Sequence, residues 1–227
     1  MVLVQKTNRK ESSLLIKQTL AERLREEIIH GRLAPGQRII EGGWARRFGV
    51  AQTSVREAIN LLIAEGFVTK ASGRSARVTC YSEGDIAQIY ELRGALEGLA
   101  ARLAAQSKVD LTPLDEALKE MRRAAKADKI RQLIDADLRF HLCLSELGGN
   151  RFLQSEVRTL LVPLFAFISM RAVQVHQTAQ AWESDLGRHK RMIEFIREGD
   201  PTAAEFTIRA TIQQFAARAY GIWQKAQ

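Results

Sequence analysis

The sequence predicts a mainly α-helical protein in two parts: a head of three helices closed by a β-hairpin, then an all-helical antiparallel bundle. Three observations lead there. Apolar residues recur at helical spacing over most of the chain, and β-rich runs are confined to residues 67–79. Turn formers such as Leu33-Ala-Pro-Gly36 and Phe48-Gly49-Val50 break the first third into short elements. Charge is segregated: residues 1–80 hold 14 Lys+Arg against 7 Asp+Glu, whereas residues 81–227 hold 20 against 19.

In the head, Ile16, Leu20, Leu24 and Ile28 repeat every four residues, which predicts one apolar face on a helix over 13–31 stopped by Gly31. Pro35 and Gly36 build the next turn. A short second helix contains Trp44 to Arg47 and ends at Phe48-Gly49-Val50. The third runs from 51–54 to Glu65, with Val55, Ala58, Ile59, Leu62 and Ile63 as its apolar stripe, and Ser54 with Glu57 has capping-box spacing. Phe67-Val68-Thr69 and Ala76-Arg77-Val78-Thr79, joined through Ser72-Gly73-Arg74-Ser75, form a hairpin. Behind a linker at 81–84, helices are expected near 85–106, from a Thr112 cap onward, 130–147, 150–172 with a bend at Pro163, 179–198 and 200–223. The resulting domains are a disordered basic lead-in at 1–11, the head at 12–80 and the bundle at 85–227.

Composition removes several classes. A hydrophobic share of 46% in 227 residues suits two globular domains. The longest apolar run, 160–170, holds Pro163, stops at Arg171 and is too short to span a bilayer, so no membrane partner is expected. The first residues lack the apolar core of a signal peptide. Cys80 and Cys143 lie far apart without CxxC spacing, which fits two reduced thiols in a cytoplasmic protein.

Helix, glycine turn, helix and hairpin in that order describe a winged helix-turn-helix. The polar face of its third helix carries Gln52, Thr53, Arg56 and Asn60, side chains able to reach base edges and phosphates. A B-DNA major groove admits one α-helix, whose N-terminal residues meet the bases. The excess positive charge of the head suits phosphate; the nearly neutral bundle must meet something else.

Residues 33–78 resemble the winged-helix domain of the GntR superfamily of bacterial regulators. The match is carried by Leu33-Ala-Pro-Gly36, Ile40-Glu41, Ala45, Phe48-Gly49-Val50, Val55-Arg56-Glu57-Ala58, Leu62 and Glu65-Gly66. The resemblance implies DNA contacts from Arg56, from Gln52, Thr53 and Ser54 before it, and from the wing tip at Gly73 and Arg74; Arg47 and Asn60 complete the expected set. Gln52 stands where the family often has an arginine, and glutamine can still read adenine bidentately.

The second part resembles the helical ligand-binding (FCD) domain of the FadR-type branch, through Ile89-Tyr90-Glu91-Leu92-Arg93, Leu96-Glu97, Asp137, Phe140-His141, Gly149-Asn150, His189 and Gly199-Asp200. Many relatives hold a divalent metal there with one Asp and three His. The resemblance places Asp137, His141 and His189 as ligands for Zn or Ni, with Thr211 where the third His is expected; alternatively, Asp137 and His141 hydrogen-bond within a polar pocket. Arg93 either clasps a carboxylate effector or pairs internally with Glu97, four residues on. The expected effector-binding residues are Arg93, Asp137, His141, Asn150 and His189. Trp182, Trp223, Phe165 and Phe167 are expected in the core or a dimer interface, and His176 at the surface.

The function these readings imply is a homodimeric regulator that binds double-stranded operator DNA and responds to a small organic acid, by default a repressor of a metabolic operon. The alternatives are a metalloenzyme using Asp137, His141 and His189, and an architectural DNA-binding protein without effector.

Overall fold

The computed structural model describes residues 2–71 and 75–225, and the side chains of residues 15–71 and 75–222. The chain divides into two compact units, Met1–Cys80 and Tyr81–Gln227.

The first unit holds α1 (Val2–Ile29), α2 (Glu41–Phe48), α3 (Gln52–Ala64), β1 (Val68–Thr69) and β2 (Arg77–Val78). Helix α1 starts at Val2, not near residue 13, so the lead-in expected to be disordered is helical; no Gly or Pro interrupts residues 2–28. Its buried face is Leu20, Leu24 and Ile28, while Ile16, expected on that face, is 43% exposed and lies outside the core. That face packs against α3, where Val55, Ala58, Ile59 and Leu62 are buried. Burying each valine, leucine or isoleucine is worth about 1.5–3 kcal/mol, so this contact sets the pose of α3.

The turn between α2 and α3 depends on Gly49. Its φ of 67° is left-handed, and its N–H closes back on the last turn of α2. Helix α3 is capped by the Ala51 backbone, with no side-chain hydrogen bond. Ser54 therefore sits inside the first turn, and the expected Ser54–Glu57 capping box does not form. In the hairpin, Val68 faces Val78 and Thr69 faces Arg77. The segment after Gly36 adds a third edge, with Val78 N–H donating to Gln37 O at 2.9 Å and Ile39 N–H to Ala76 O at 2.8 Å. Arg25 of α1 grips Glu65 just past α3 at 2.7–2.9 Å.

The second unit contains α4 (Glu83–Ser107), α5 (Thr112–Lys126), α6 (Ile130–Leu147), α7 (Arg151–Gln174), α8 (Glu183–Glu198) and α9 (Pro201–Lys225), with a 3-10 turn at Ala179–Trp182 before α8. The predicted linker at 81–84 is half helix, because Ser82 and Asp85 form a reciprocal capping box that starts α4 at Glu83. Thr112 is not the cap of α5. The Asp110 carboxylate accepts from the Thr112 N–H and hydroxyl at 2.9 and 2.7 Å, which draws Thr112 into the helix. Helix α7 continues through Pro163. Among the described residues, no helix is long and apolar enough to cross a membrane, and both cysteines are free thiols.

Helix α4 lies along α9, α5 on α6 and α6 on α7. Gly98 permits the first of these contacts: a Cβ there would stand 2.6 Å from Arg209 Cγ and 3.2 Å from the Glu205 carbonyl. Gly98→Val is expected to cost about 1–3 kcal/mol through overpacking. Gly187, inside α8 with nothing within 4 Å of its would-be Cβ, is the opposite case: Gly187→Ala is expected to gain roughly 0.5–1 kcal/mol from backbone entropy. Thermal unfolding of the two variants checks the pair; equal shifts of one sign would refute the packing argument.

Candidate functional site

In the first unit, the buried stripe of α3 turns Gln52, Thr53, Arg56 and Asn60 outward, all exposed, with Ser54 half-buried. Gln52, Arg56 and Asn60 are four residues apart and share a face. Two of them are held. Arg56 Nε and Nη2 donate to Glu41 Oε2 at 3.0 and 2.8 Å, and Gln52 Nε2 donates to the same oxygen at 3.2 Å. The Arg56 hydrogen bonds pull the Glu41 carboxyl below its ordinary value, against the opposing effect of burial. Lys70 Nζ is 3.9 Å from Glu41 Oε1. Arg47 lies beside the reader, its guanidinium over Trp44 at 4.6 Å and paired with Glu27 at 3.3 Å. Gly73 and Arg74 lie outside the described residues.

In the second unit, Asp137 and His141 share one face of α6, one turn apart, and His189 of α8 meets them. All three are buried. His189 Nδ1 donates to the Asp185 carbonyl at 2.7 Å, and His141 Nδ1 donates to Glu97 Oε2. With both Nδ1 atoms engaged as donors, the neutral rings present Nε2 lone pairs inward. These lie 3.4 Å apart, and 3.2 and 2.9 Å from Asp137 Oδ1, itself a buried oxygen without a hydrogen-bond donor. Three acceptors so close repel one another unless a cation lies among them or a ring takes a proton at Nε2. Burial pushes the Asp137 carboxyl up, but His189 and His141 outweigh it and hold it below its ordinary value. Burial likewise lowers the His141 ring, and Glu97 with Asp137 more than reverses this.

The donor set fits a divalent metal. Bonds of about 2.0–2.1 Å at tetrahedral to octahedral angles put ligand atoms roughly 2.9–3.4 Å apart, which is the spacing seen here. Thr211 is buried on α9, one turn before Phe215, whose ring stacks on His189 at 4.9 Å. It offers a neutral hydroxyl in place of an imidazole.

Of the two readings made of Arg93, the structure shows the internal pair with Glu97. Arg93 Nε donates to Glu97 Oε1 at 2.8 Å, each side chain 1% exposed. Its Nη2 is buried without a partner, in the wall of a cavity of about 20 Å³ that Asp137 also lines. The guanidinium lies over Tyr90 and Phe165, at 4.7 and 5.2 Å from the ring centroids. Trp182 and Arg218 also line the cavity, with Arg218 fastened to Asp185. Asn150 is a correction: it is exposed and caps α7, accepting from the Phe152 and Leu153 N–H groups, so it does not face the cavity. Trp182 and Phe165 line the cavity as well as being buried. Phe167 is buried, His176 is exposed, and the Trp223 side chain lies outside the described ones.

Sequence reasoning foresaw the Arg93–Glu97 pair but not the second bond from Glu97 to His141, nor Asp185 orienting His189, nor Arg218 lining the cavity. The spacing of four between Asp185 and His189 is a visible signal for the second of these. Arg218 gave none, because its partners come from a distant segment.

A winged-helix reader joined to a helical unit with a buried polar cavity defines a ligand-responsive DNA-binding protein. Comparison with known proteins agrees. Residues 16–78 match the model of bacterial regulatory proteins of the gntR family, and residues 88–214 match the FCD domain. The chain is 28% identical over 185 residues to the HTH-type transcriptional regulator YdhC of Bacillus subtilis, covering 80% of this chain and 81% of that one. It is 29% identical over 205 residues, 87% of each chain, to a protein of Paenarthrobacter nicotinovorans named "Probable D-xylose utilization operon transcriptional repressor". The solved structure of Escherichia coli McbR/YncC shares the fold, with a TM-score of 0.72 at 19% identity over 92% of this chain and 98% of that one. The chain belongs to the GntR family of bacterial transcription regulators, in the FadR-type branch that carries an FCD domain. It is a DNA-binding transcription regulator whose helical domain is of the effector-binding kind.

Proposed function

We propose that this regulator is a cytoplasmic homodimeric repressor of a metabolic operon, released from its operator by a small organic acid bound beside a divalent metal. The observation that carries the effector class is Arg93 Nη2, a buried cationic donor without a partner in a cavity that Asp137 also lines. Leaving such a group unpaired is costly, and a carboxylate answers it. Asp137, His141 and His189 would hold the metal, and Glu97 and the Asp185 carbonyl fix the ring tautomers. When bound, the metal supplies a Lewis-acidic charge that attracts an anion. Three protein ligands leave coordination positions open for it.

The relative named for a D-xylose utilization operon supports repression of a catabolic operon. A dimer would place two copies of α3 on the half-sites of a palindrome, and the exposed Leu92 and Phe206 are apolar side chains such an association would cover. If the effector favours the form with low operator affinity, release follows by linkage.

The test is fluorescence anisotropy on DNA upstream of the regulator's own gene, with and without a panel of small carboxylates, together with metal analysis of the purified protein. The expected result is operator binding weakened by a carboxylate, and one divalent ion per chain in the wild type but not in His189→Ala. Operator binding indifferent to every acid tested, with no metal present, would sink the effector reading.

A further inference from the structure

We propose that Glu41 is a specificity-determining positioning residue of the DNA-reading head: its carboxylate holds Arg56 and Gln52 in base-reading poses and keeps them from acting as free phosphate clamps. This rests on the reading of α3 as the helix that enters the groove.

Glu41 is the first residue of α2, where the helix N-terminus favours a carboxylate. Its side chain is only 16% exposed, against 52% for that of Arg56. A single oxygen, Oε2, takes Arg56 Nε, Arg56 Nη2 and Gln52 Nε2. The other, Oε1, faces Lys70 just beyond β1. One carboxylate thus gathers long polar side chains from the first turns of α3 and the base of the hairpin.

Two consequences act in the same direction. An arginine free in water loses rotamer entropy when it docks, whereas one already held loses less. A carboxylate can only accept, so it also fixes which end of the Gln52 amide faces inward, and adenine is read by an N–H and a C=O presented in set order. Meanwhile a negative charge among these cations weakens attraction to any duplex, whatever its sequence. Operator binding gains from the first effect, and binding to random DNA is suppressed by the second. An acid at the centre of a head with a net charge of +7 would otherwise only hinder.

The test uses the full-length chain and two probes across a salt series: a duplex enriched by the wild type from a random-sequence pool, and a shuffled duplex of equal length. Glu41→Gln is expected to bind the shuffled duplex several-fold tighter, with a steeper salt dependence. It should bind the enriched duplex more weakly, so that the ratio falls about tenfold. Glu41→Asp keeps the charge but shortens the reach, so weak shuffled binding should return without the ratio. An unchanged ratio in Glu41→Gln overturns the proposal. So does a parallel loss on both probes with a lowered thermal midpoint, which would make Glu41 a residue of the fold alone. A wild type that enriches no duplex overturns the reading of α3, and this inference with it.

Discussion

Glu97→Ala is expected to destabilise the helical domain by about 3–5 kcal/mol, because it strands the buried Arg93 charge. Glu97 links two networks: Oε1 accepts from Arg93 on its own helix, and Oε2 accepts from His141 on α6. Truncation leaves a guanidinium that is 1% exposed without the carboxylate it is hydrogen-bonded to and frees His141 to rotate. For a chain of this size the loss corresponds to a fall in thermal midpoint on the order of ten degrees. The double variant Arg93→Leu/Glu97→Leu should recover most of it, since a buried pair replaced by apolar groups is often neutral. A single variant melting within about a degree of wild type would refute the account.

The sign with pH follows from the shifts. Burial raises the Glu97 carboxyl, but His141 and Arg93 outweigh it, so the folded value is depressed. Its contribution is therefore complete above the ordinary 4.5 and is lost as pH falls. His141 is shifted upward overall, so its contribution is complete below the ordinary 6.5 and lost as pH rises. In chelator-treated protein, the stability gap between wild type and Glu97→Gln should be widest between these two values.

Arg56→Ala is expected to lower operator affinity roughly 5- to 150-fold, the range for losing one bidentate base contact. Affinity for shuffled DNA should fall less. The side chain is exposed, and its half-buried partner Glu41 keeps Gln52 and Lys70 as neighbours, so helicity and thermal midpoint should hold. Equal losses on both probes would show that Arg56 meets phosphate only, and a reduced salt slope would accompany them.

The head was legible because each of its signals is local. Val55, Ala58, Ile59 and Leu62 mark the buried side of α3 by spacing alone, which sends Gln52, Arg56 and Asn60 outward. The capping error at Ser54 has a simple cause: the spacing fits a box equally well two residues past the true helix start, and Ala51 carries no cap to mark it. In the bundle, Asp137 and His141 could be paired within one helix. His189, however, came from family likeness, and Asn150 was misplaced because a likeness does not tell a ligand from a helix cap. What brings Arg218 to Asp185, or Glu41 to Arg56, is tertiary packing across 33 and 15 residues, and no periodicity encodes it.

The cavity beside Arg93 holds about 20 Å³, room for roughly one water molecule. An organic acid, the effector class proposed above, would not fit such a space with its walls where they are. Trp182 of the 3-10 turn and Arg218, Ala219 and Ile222 of α9 are among its walls, and on that proposal part of this lining would have to give way. On the proposal made above, recognition and displacement would be one event, with chemical occupancy coupled to mechanical work.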